Sequence, residues 1–473
     1  MIPKGSHIHL MGIGGTAMAS LAGLLKELGY KITGSDLNVY PPMSTQLAEL
    51  GIPVMEGYKK ENLRDRPDLV IVGNVISRTN EEAQALLASD IPYTSLPKAL
   101  GDYAIADRNS VVVAGTHGKT TTTALVAVLA EACGLKPGFL IGGIPINFSK
   151  SFRVPLSNWF VIEGDEYDTA FFDKVPKFVH YRPRYAILTS VEFDHADIYQ
   201  DLNAVKRAFA LLIERMPADG LLVVNGEDPH AMELAQSCKC KVVTYGLESG
   251  DYHVLDRRVE LGRNQFTVDH KGQRLVELAI KQFGPHNTLN TLAAFALARE
   301  LKWPLDKILG GMANFQGVKR RQELIGEPNG ITLIEDFAHH PTAVSLTLKT
   351  MRERFPQRRL FGVFEPRSAT SRRKVFQRDY VKALSGADIA IVAKPYDQTR
   401  IQEEDRFSTE ELVGELKAAG GVAYEGQSVS HIIELLKNEC RSGDVVLLMS
   451  NGGFDGIYSK LIQALSSQNE TTT

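Results

Sequence analysis

The stretch SVVVAGTHGKTTTTALVAVLAEACG, Ser110 to Gly134, constrains this chain more than any other. Val111, Val112, Val113 and Ala114 read as a short buried strand. Gly115-Thr116-His117-Gly118-Lys119 is a glycine turn, and Thr120 and Thr121 open an Ala/Leu/Val-rich helix that Gly134 stops. Such an arrangement holds nucleotide phosphates. Glycines let backbone N–H groups approach an anion, and the helix N-terminus adds partial positive charge. Lys119 adds a full charge, and the Thr120 hydroxyl can face Mg²⁺. The loop is a short variant, because Val113 stands where the general pattern has its first glycine. An ordinary strand-to-helix turn with a surface lysine is the alternative; the reading adopted is an ATP site.

A chain of 473 residues is too long for one core and implies about two to four domains. With 44% hydrophobic and 23% charged residues and a net charge of −3, it has the composition of a globular protein. Nothing in that balance calls for nucleic acid or a membrane surface as partner. Four scattered cysteines (Cys133, Cys238, Cys240, Cys440) imply no disulfide framework, and Cys238-Lys239-Cys240 lacks the spacing of a metal knuckle. No apolar run reaches the roughly 20 residues that span a bilayer. The expected location is the cytoplasm.

The chain opens HIHLMGIGGTAMASLAGLLKELGYKITGSD, which reads as strand, glycine turn, helix, strand. Gly12, Gly14 and Gly15 resemble a dinucleotide turn, with Ser35 and Asp36 at the end of the next strand. Alone, this fits NAD, another nucleotide, or a plain tight turn. Asn74 stands at the C-terminal end of the strand Asp68–Asn74, and the first domain is expected to span 1–107.

Two acidic strand ends follow the phosphate loop. Glu163 closes one apolar strand, ahead of Asp165, Glu166 and Asp168; Glu192, Asp194, His195 and Asp197 follow another. Two such ends near a phosphate loop fit a magnesium site, because Mg²⁺ takes a few carboxylates plus phosphate oxygens and water. Leu221–Asn225 and Val242–Tyr245 read as strands, and Glu260–Leu278 alternates like a hairpin. A long helix then opens with His286, Asn287 and Asn290, either as caps or as readers of a purine edge.

The central domain is expected to span 108–318, and βα alternation restarts over 319–473. Strands are expected at Ile331–Glu335, Leu360–Phe364, Ile389–Val392 and Val445–Met449. Ser408 and Glu411 form a capping box. Polar residues collect at the strand ends: Asp336 with His339 and His340, Glu365 with Arg367, and Ser450 with Asn451. The polar tail Ser466–Thr473 is expected to be disordered. The fold class is α/β in three domains: a Rossmann-like one, a P-loop ATPase-like one, and a doubly wound Rossmann-like one.

GIGGTAM, GTHGKTTT, EGDEYD, EFDHAD, GPHNTLNTLAA, GVKRR and EDFAHHPT, in that order along the whole chain, resemble the Mur ligase family. Those ATP-dependent enzymes join amino acids or peptides to UDP-N-acetylmuramic acid precursors of peptidoglycan. Within the family, DEYDTAFFDKVPKFVHYRPRYAILTSVEFDHADIY, FEPRS and MSNGGFDGI are similar to the branch that recycles murein peptides. That branch attaches L-alanyl-γ-D-glutamyl-meso-diaminopimelate to UDP-N-acetylmuramate. The alternative is the branch that adds L-alanine.

The resemblance implies that Gly12, Gly14, Gly15, Ser35, Asp36 and Asn74 hold the UDP moiety, so the first turn is not an NAD site. It implies that Lys119 and Thr120 hold phosphates and Mg²⁺, with Glu163 and His195 as metal ligands. His286, Asn287 and Asn290 would face adenine, and Arg321 and Asp336 would reach ATP from the third domain. Peptide recognition falls to Arg367, as a bidentate carboxylate binder or merely a surface ion pair, and to Asn451; His339 or Asp336 could deprotonate the amine. Many members carry a carbamylated lysine about fifteen residues beyond the Asp-His pair. Here Phe209 stands there and Lys206 is out of register, so the modification is assigned to no lysine of this chain. A nicotinamide-dependent oxidoreductase and a P-loop transport ATPase are the rival classes.

Overall fold

Short Val/Ile/Leu runs bounded by glycine or polar residues become strands covered on both faces, which is what parallel sheets require. In the computed structural model, which describes residues 1–39 and 43–467, three such sheets follow one another along the chain. The first has five parallel strands in the order Val54–Glu56, Lys31–Asp36, His7–Met11, Leu69–Val72, Tyr93–Ser95. Strand order reverses at His7–Met11, so a crevice opens at the carboxyl ends there.

The second sheet centres on Asn109–Ala114, flanked in parallel by Trp159–Gly164 on one side and Tyr185–Leu188 on the other. Register pairs Val113 with Glu163 and Ala114 with Leu188, so both acidic segments emerge beside the glycine turn. The helix Lys119–Ala132 is buried along most of its length; Gly311 of the neighbouring helix Leu305–Asn314 lies close to Leu129 and Ala132. Gly134 follows with φ +76° and its N–H bonded to the Glu131 carbonyl, ending the helix as expected.

The alternating stretch expected as a hairpin is a three-stranded meander: Tyr252–Glu260, Arg263–His270 and Gln273–Ile280, all antiparallel. Its two turns place Leu261-Gly262 and Lys271-Gly272 at positive φ, the backbone that two-residue hairpin turns demand.

The third sheet has five parallel strands and one antiparallel edge strand, Glu323–Gly326. Its central strands Thr332–Asp336, Val445–Met449 and Leu360–Phe364 align Asp336, Met449 and Phe364 at one level. Asp336, Glu365 and Ser450-Asn451 thereby share one carboxyl edge. Ser408 accepts from the Glu411 N–H at 3.1 Å, but the reciprocal half of the capping box is replaced. The Ser408 N–H goes to Gln377 and the Glu411 carboxylate to Lys374. At the C-terminus Ser466 ends the helix Ile457–Ser466 and Ser467 caps it; the rest of the expected disordered tail, 468–473, lies outside the described residues. Among the described residues, no helix is long and apolar enough to cross a membrane.

Candidate functional site

Two cavities lie at the carboxyl ends of these sheets. The smaller, about 470 Å³, is formed by the first sheet's crevice and lined by Gly12, Gly14, Gly15, Asp36, Tyr58 and Asn74, with Thr169 and Lys177 reaching in from the second domain. Gly12 turns the chain at φ +82°, and the Gly14 N–H donates to Asp36 Oδ2 at 2.8 Å. A Cβ on Gly14 would come within 2.9 Å of that oxygen, so the approach needs glycine. Ser35 lies beneath the cavity and does not line it: it is fully buried, and its carbonyl accepts the Gly12 and Ile13 N–H groups.

The larger cavity, about 860 Å³, opens between the second and third sheets. It is lined by the loop Thr116–Thr121 and by both acidic segments. From the start of the long helix come His286, Asn287 and Asn290; from the third domain come Arg321, Asp336, His339 and Asn451. Gly115 lies behind the loop at φ +128°, where a Cβ would strike Thr189 and Ser190.

Lys119 carries the local electrostatics. Its ammonium bonds the Gly115 carbonyl at 2.6 Å and Glu166 Oε2 at 2.9 Å, in a setting where Glu166 is almost wholly buried. Burial works against the charge, but Glu166, Asp165 and Glu163 outweigh it and hold the lysine above its ordinary pKa. Glu166 is held below the carboxylate range despite its own burial, by Lys119 and by His195. His195 Nε2 is 3.0 Å from Glu166 Oε1, and the residue sits at φ +56°. Its pKa is raised: burial lowers it, and the bond to Glu166 more than compensates.

Thr120 Oγ1 lies 3.0 and 3.1 Å from the two Glu163 oxygens, and the Gly142 N–H donates to Glu163 Oε2 at 3.0 Å. A hydroxyl facing a carboxylate beside a phosphate loop is the hard-oxygen donor pair that suits Mg²⁺. The third expected ligand, His195, lines the same cavity but is bonded to Glu166 rather than to this pair. Among the described residues, one trio of metal-competent side chains has ligand atoms within 4.8 Å of one another, and it is a different one: His117, Glu192 and His340. That trio joins the loop to the third domain, helped by Thr342, which donates to Glu192 Oε2 at 2.8 Å. Glu192 is brought to about 2: burial opposes this, and the bonds from His117 and Thr342 prevail.

The amides at the helix start bond inward, Asn287 to the Phe283 carbonyl and Asn290 to Asn287. His286 faces the cavity as a neutral imidazole, lowered to about 4 by burial and then by Arg257, with Nδ1 free of any hydrogen bond. Arg321 reaches across to Thr120 Oγ1 at 3.2 Å, and Asp336 Oδ2 accepts the Gln322 N–H at 2.9 Å. Arg367 lines neither cavity; it stacks 3.8 Å over the Tyr396 ring and bonds Glu365. Phe209 is buried against Phe178, and Lys206 pairs with Glu233 and lines neither cavity.

Several lining residues escaped the sequence reading. Glu166 and Glu192 stood in the acidic segments without distinction, and only burial beside Lys119 or His117 marks them. Gln322, Thr342 and Thr370 come from the third domain, and nothing local signals them. Ser190 supports the loop by accepting the Thr116 and His117 N–H groups.

Comparison with known proteins bears on the same three units. Three family profiles match in order: "Mur ligase family, catalytic domain" over residues 7–108, "Mur ligase middle domain" over 113–298, and "Mur ligase, glutamate ligase domain" over 320–452. The chain is 39% identical over 461 residues to the UDP-N-acetylmuramate--L-alanyl-gamma-D-glutamyl-meso-2,6-diaminoheptandioate ligase of Haemophilus influenzae, covering 97% of this chain and 99% of that protein. It is 33% identical to the UDP-N-acetylmuramate--L-alanine ligase of Agathobacter rectalis over 463 residues, covering 97% and 98%. Among solved structures, a murein peptide ligase from Psychrobacter arcticus superposes with TM-score 0.75 at 35% identity, covering 98% of this chain and 99% of that one. With all three domains matched in order over nearly the full length, this chain belongs to the Mur ligase family.

Proposed function

We infer that this ligase joins L-alanyl-γ-D-glutamyl-meso-diaminopimelate to UDP-N-acetylmuramate at the expense of ATP, through an acyl phosphate, as a cytoplasmic step of murein recycling. The observation that carries the reading is the larger cavity, where a phosphate loop, two acidic strand ends and the polar edge of a third domain meet. The higher identity to the peptide-adding relative, 39% against 33%, favours the tripeptide over L-alanine as the incoming amine.

A carboxylate is a poor acylating group, so phosphorylation must activate it first. Lys119 and the loop N–H groups would offset charge on the transferring phosphoryl group, and Arg321 would approach the same phosphates from the third domain. Thr120 and Glu163, with His195 nearby, would hold Mg²⁺, which when bound screens phosphate charge and orients the oxygens. His286 and the Asn287–Asn290 pair would line the adenine end. The peptide amine then attacks the acyl phosphate, forming the amide and releasing phosphate. An α-amino group titrates near about 8, so much of it is protonated at neutral pH and a proton acceptor helps. His339 lines the cavity, and its Nδ1 donates to the Phe337 carbonyl at 3.0 Å, which leaves the Nε2 lone pair to take up that proton.

The test is product mass and phosphate release with ATP, Mg²⁺ and UDP-N-acetylmuramate, offering either the tripeptide or L-alanine. A tripeptide adduct with one phosphate per bond is expected. An alanine adduct alone would place the chain in the stepwise pathway.

A further inference from the structure

Lys177 belongs to the second domain, following the strand Asp173–Pro176, yet it lines the first domain's cavity beside the glycine turn, Asp36 and Asn74. Among the described residues lining that cavity, it is the one with a positive charge. Its ammonium points the other way as well. It lies 2.6 Å from Asp165 Oδ2 and 5.6 Å from the centre of the Tyr167 ring, and both of those residues line the larger cavity. Asp165 is the sequence neighbour of Glu166, the counter-ion of Lys119. Lys177, about 15% exposed, thus lines the smaller cavity while touching two residues that line the larger.

We propose that Lys177 binds the lactyl carboxylate of UDP-N-acetylmuramate as the sugar end passes from the smaller cavity to the larger, exchanging Asp165 for the substrate's carboxylate. The inference rests on the functional reading above. Its logic is charge. The substrate's reacting group is an anion that must travel past the acidic segment Glu163–Asp168, and without a cation on the way that segment repels it. Asp165 acts as a placeholder that keeps a largely buried ammonium paired until substrate arrives. The diphosphate is a less suitable partner, because the helix Thr16–Glu27 begins at the glycine turn and offers its own N-terminus to phosphate.

The test compares equilibrium binding of UDP-N-acetylmuramate, UDP-N-acetylglucosamine and ADP to the wild-type protein, Lys177→Met and Lys177→Arg. UDP-N-acetylglucosamine has the same diphosphate but lacks the lactyl carboxylate. Lys177→Met should weaken UDP-N-acetylmuramate binding about 10–100-fold, leave the other two ligands within about threefold, and Lys177→Arg should restore most of the loss. Unchanged UDP-N-acetylmuramate affinity in Lys177→Met would overturn the inference. Equal weakening of both sugar nucleotides would overturn it in favour of a diphosphate contact, and a parallel loss of ADP binding in favour of a structural role. If the wild-type protein itself does not bind UDP-N-acetylmuramate, the functional reading fails, and the inference with it.

Discussion

The turn Gly12–Gly15 and the loop Gly115–Lys119 have nearly the same backbone plan and opposite electrostatics. Each follows a central parallel strand, passes through glycine at positive φ and opens a helix. In the first, a carboxylate takes the N–H that an anion would use, with Asp36 2.8 Å from the Gly14 nitrogen. In the second, Lys119 starts the helix and is neutralised from outside by Glu166. Backbone geometry makes both turns able to approach a ligand closely; the side chain at each turn distinguishes them, a carboxylate bonded to the first and a lysine opening the helix of the second. They differ in completeness too. The first turn finds most of its cavity within its own sheet, whereas the second needs Arg321, Asp336 and His339 from another domain.

The sharpest way to break this comparison is a crossed pair of substitutions. Lys119→Ala should cut ligation by about 10²–10³-fold or more while UDP-N-acetylmuramate binding persists. Asp36→Ala should weaken the sugar nucleotide and spare ADP. Kinetics and binding measured together would reveal whether either variant loses both ligands, which would mean that the turns do not act separately.

Acid should act through the second region next. His286 and His340 are lowered from 6.5 to about 4, by burial first and then by Arg257 and His117 respectively. The unfolded chain takes up these protons near pH 6.5 and the folded one only near 4. The stability they secure is therefore complete above about 6.5 and lost as pH falls towards 4, on the order of 3 kcal/mol each at most. Unfolding followed between pH 7 and pH 5 should show a shallower decline for His340→Gln; identical declines would remove His340 from the account.

Glycine substitutions give the smaller effects. Gly118 has φ +79°, and a Cβ there would lie 2.4 Å from Asn290 Oδ1. Gly118→Ala should cost about 2–3 kcal/mol from backbone strain and displacement of Asn290. Gly15 has φ −69° and only the Gly12 carbonyl within reach at 3.7 Å, so Gly15→Ala should stay within about 0.5 kcal/mol. Comparable losses in both would show that the two turns are equally intolerant and that local crowding does not distinguish them.

Much of the architecture was legible because parallel strands buried on both faces leave long apolar runs that glycine and polar residues punctuate. Leu360–Phe364 and Val445–Met449 fall where the pattern placed them. The meander was only half legible. The stretch Glu260–Leu278 covers its second and third strands, whereas the first, Tyr252–Glu260, joins them through a Leu261-Gly262 turn that lacks the Asn-Gly signal. The capping box was legible in its backbone half alone. Which of two nearby partners a side chain such as Glu411 chooses depends on Lys374, distant in sequence.

Taken by itself, the sequence determined the phosphate loop, the three α/β units and the supply of carboxylates, histidines and amides at strand ends. These follow from local periodicity and turn chemistry. Only the tertiary structure decided which of those groups meet. It set Glu166 rather than a solvated neighbour beside Lys119, drew His117, Glu192 and His340 together, buried Ser35, turned Arg367 onto Tyr396, and carried Lys177 into another domain's cavity. The reason is physical. Charges at strand ends interact through distances fixed by sheet register and domain packing, and residues tens to hundreds of positions apart acquire those distances only when the chain is folded.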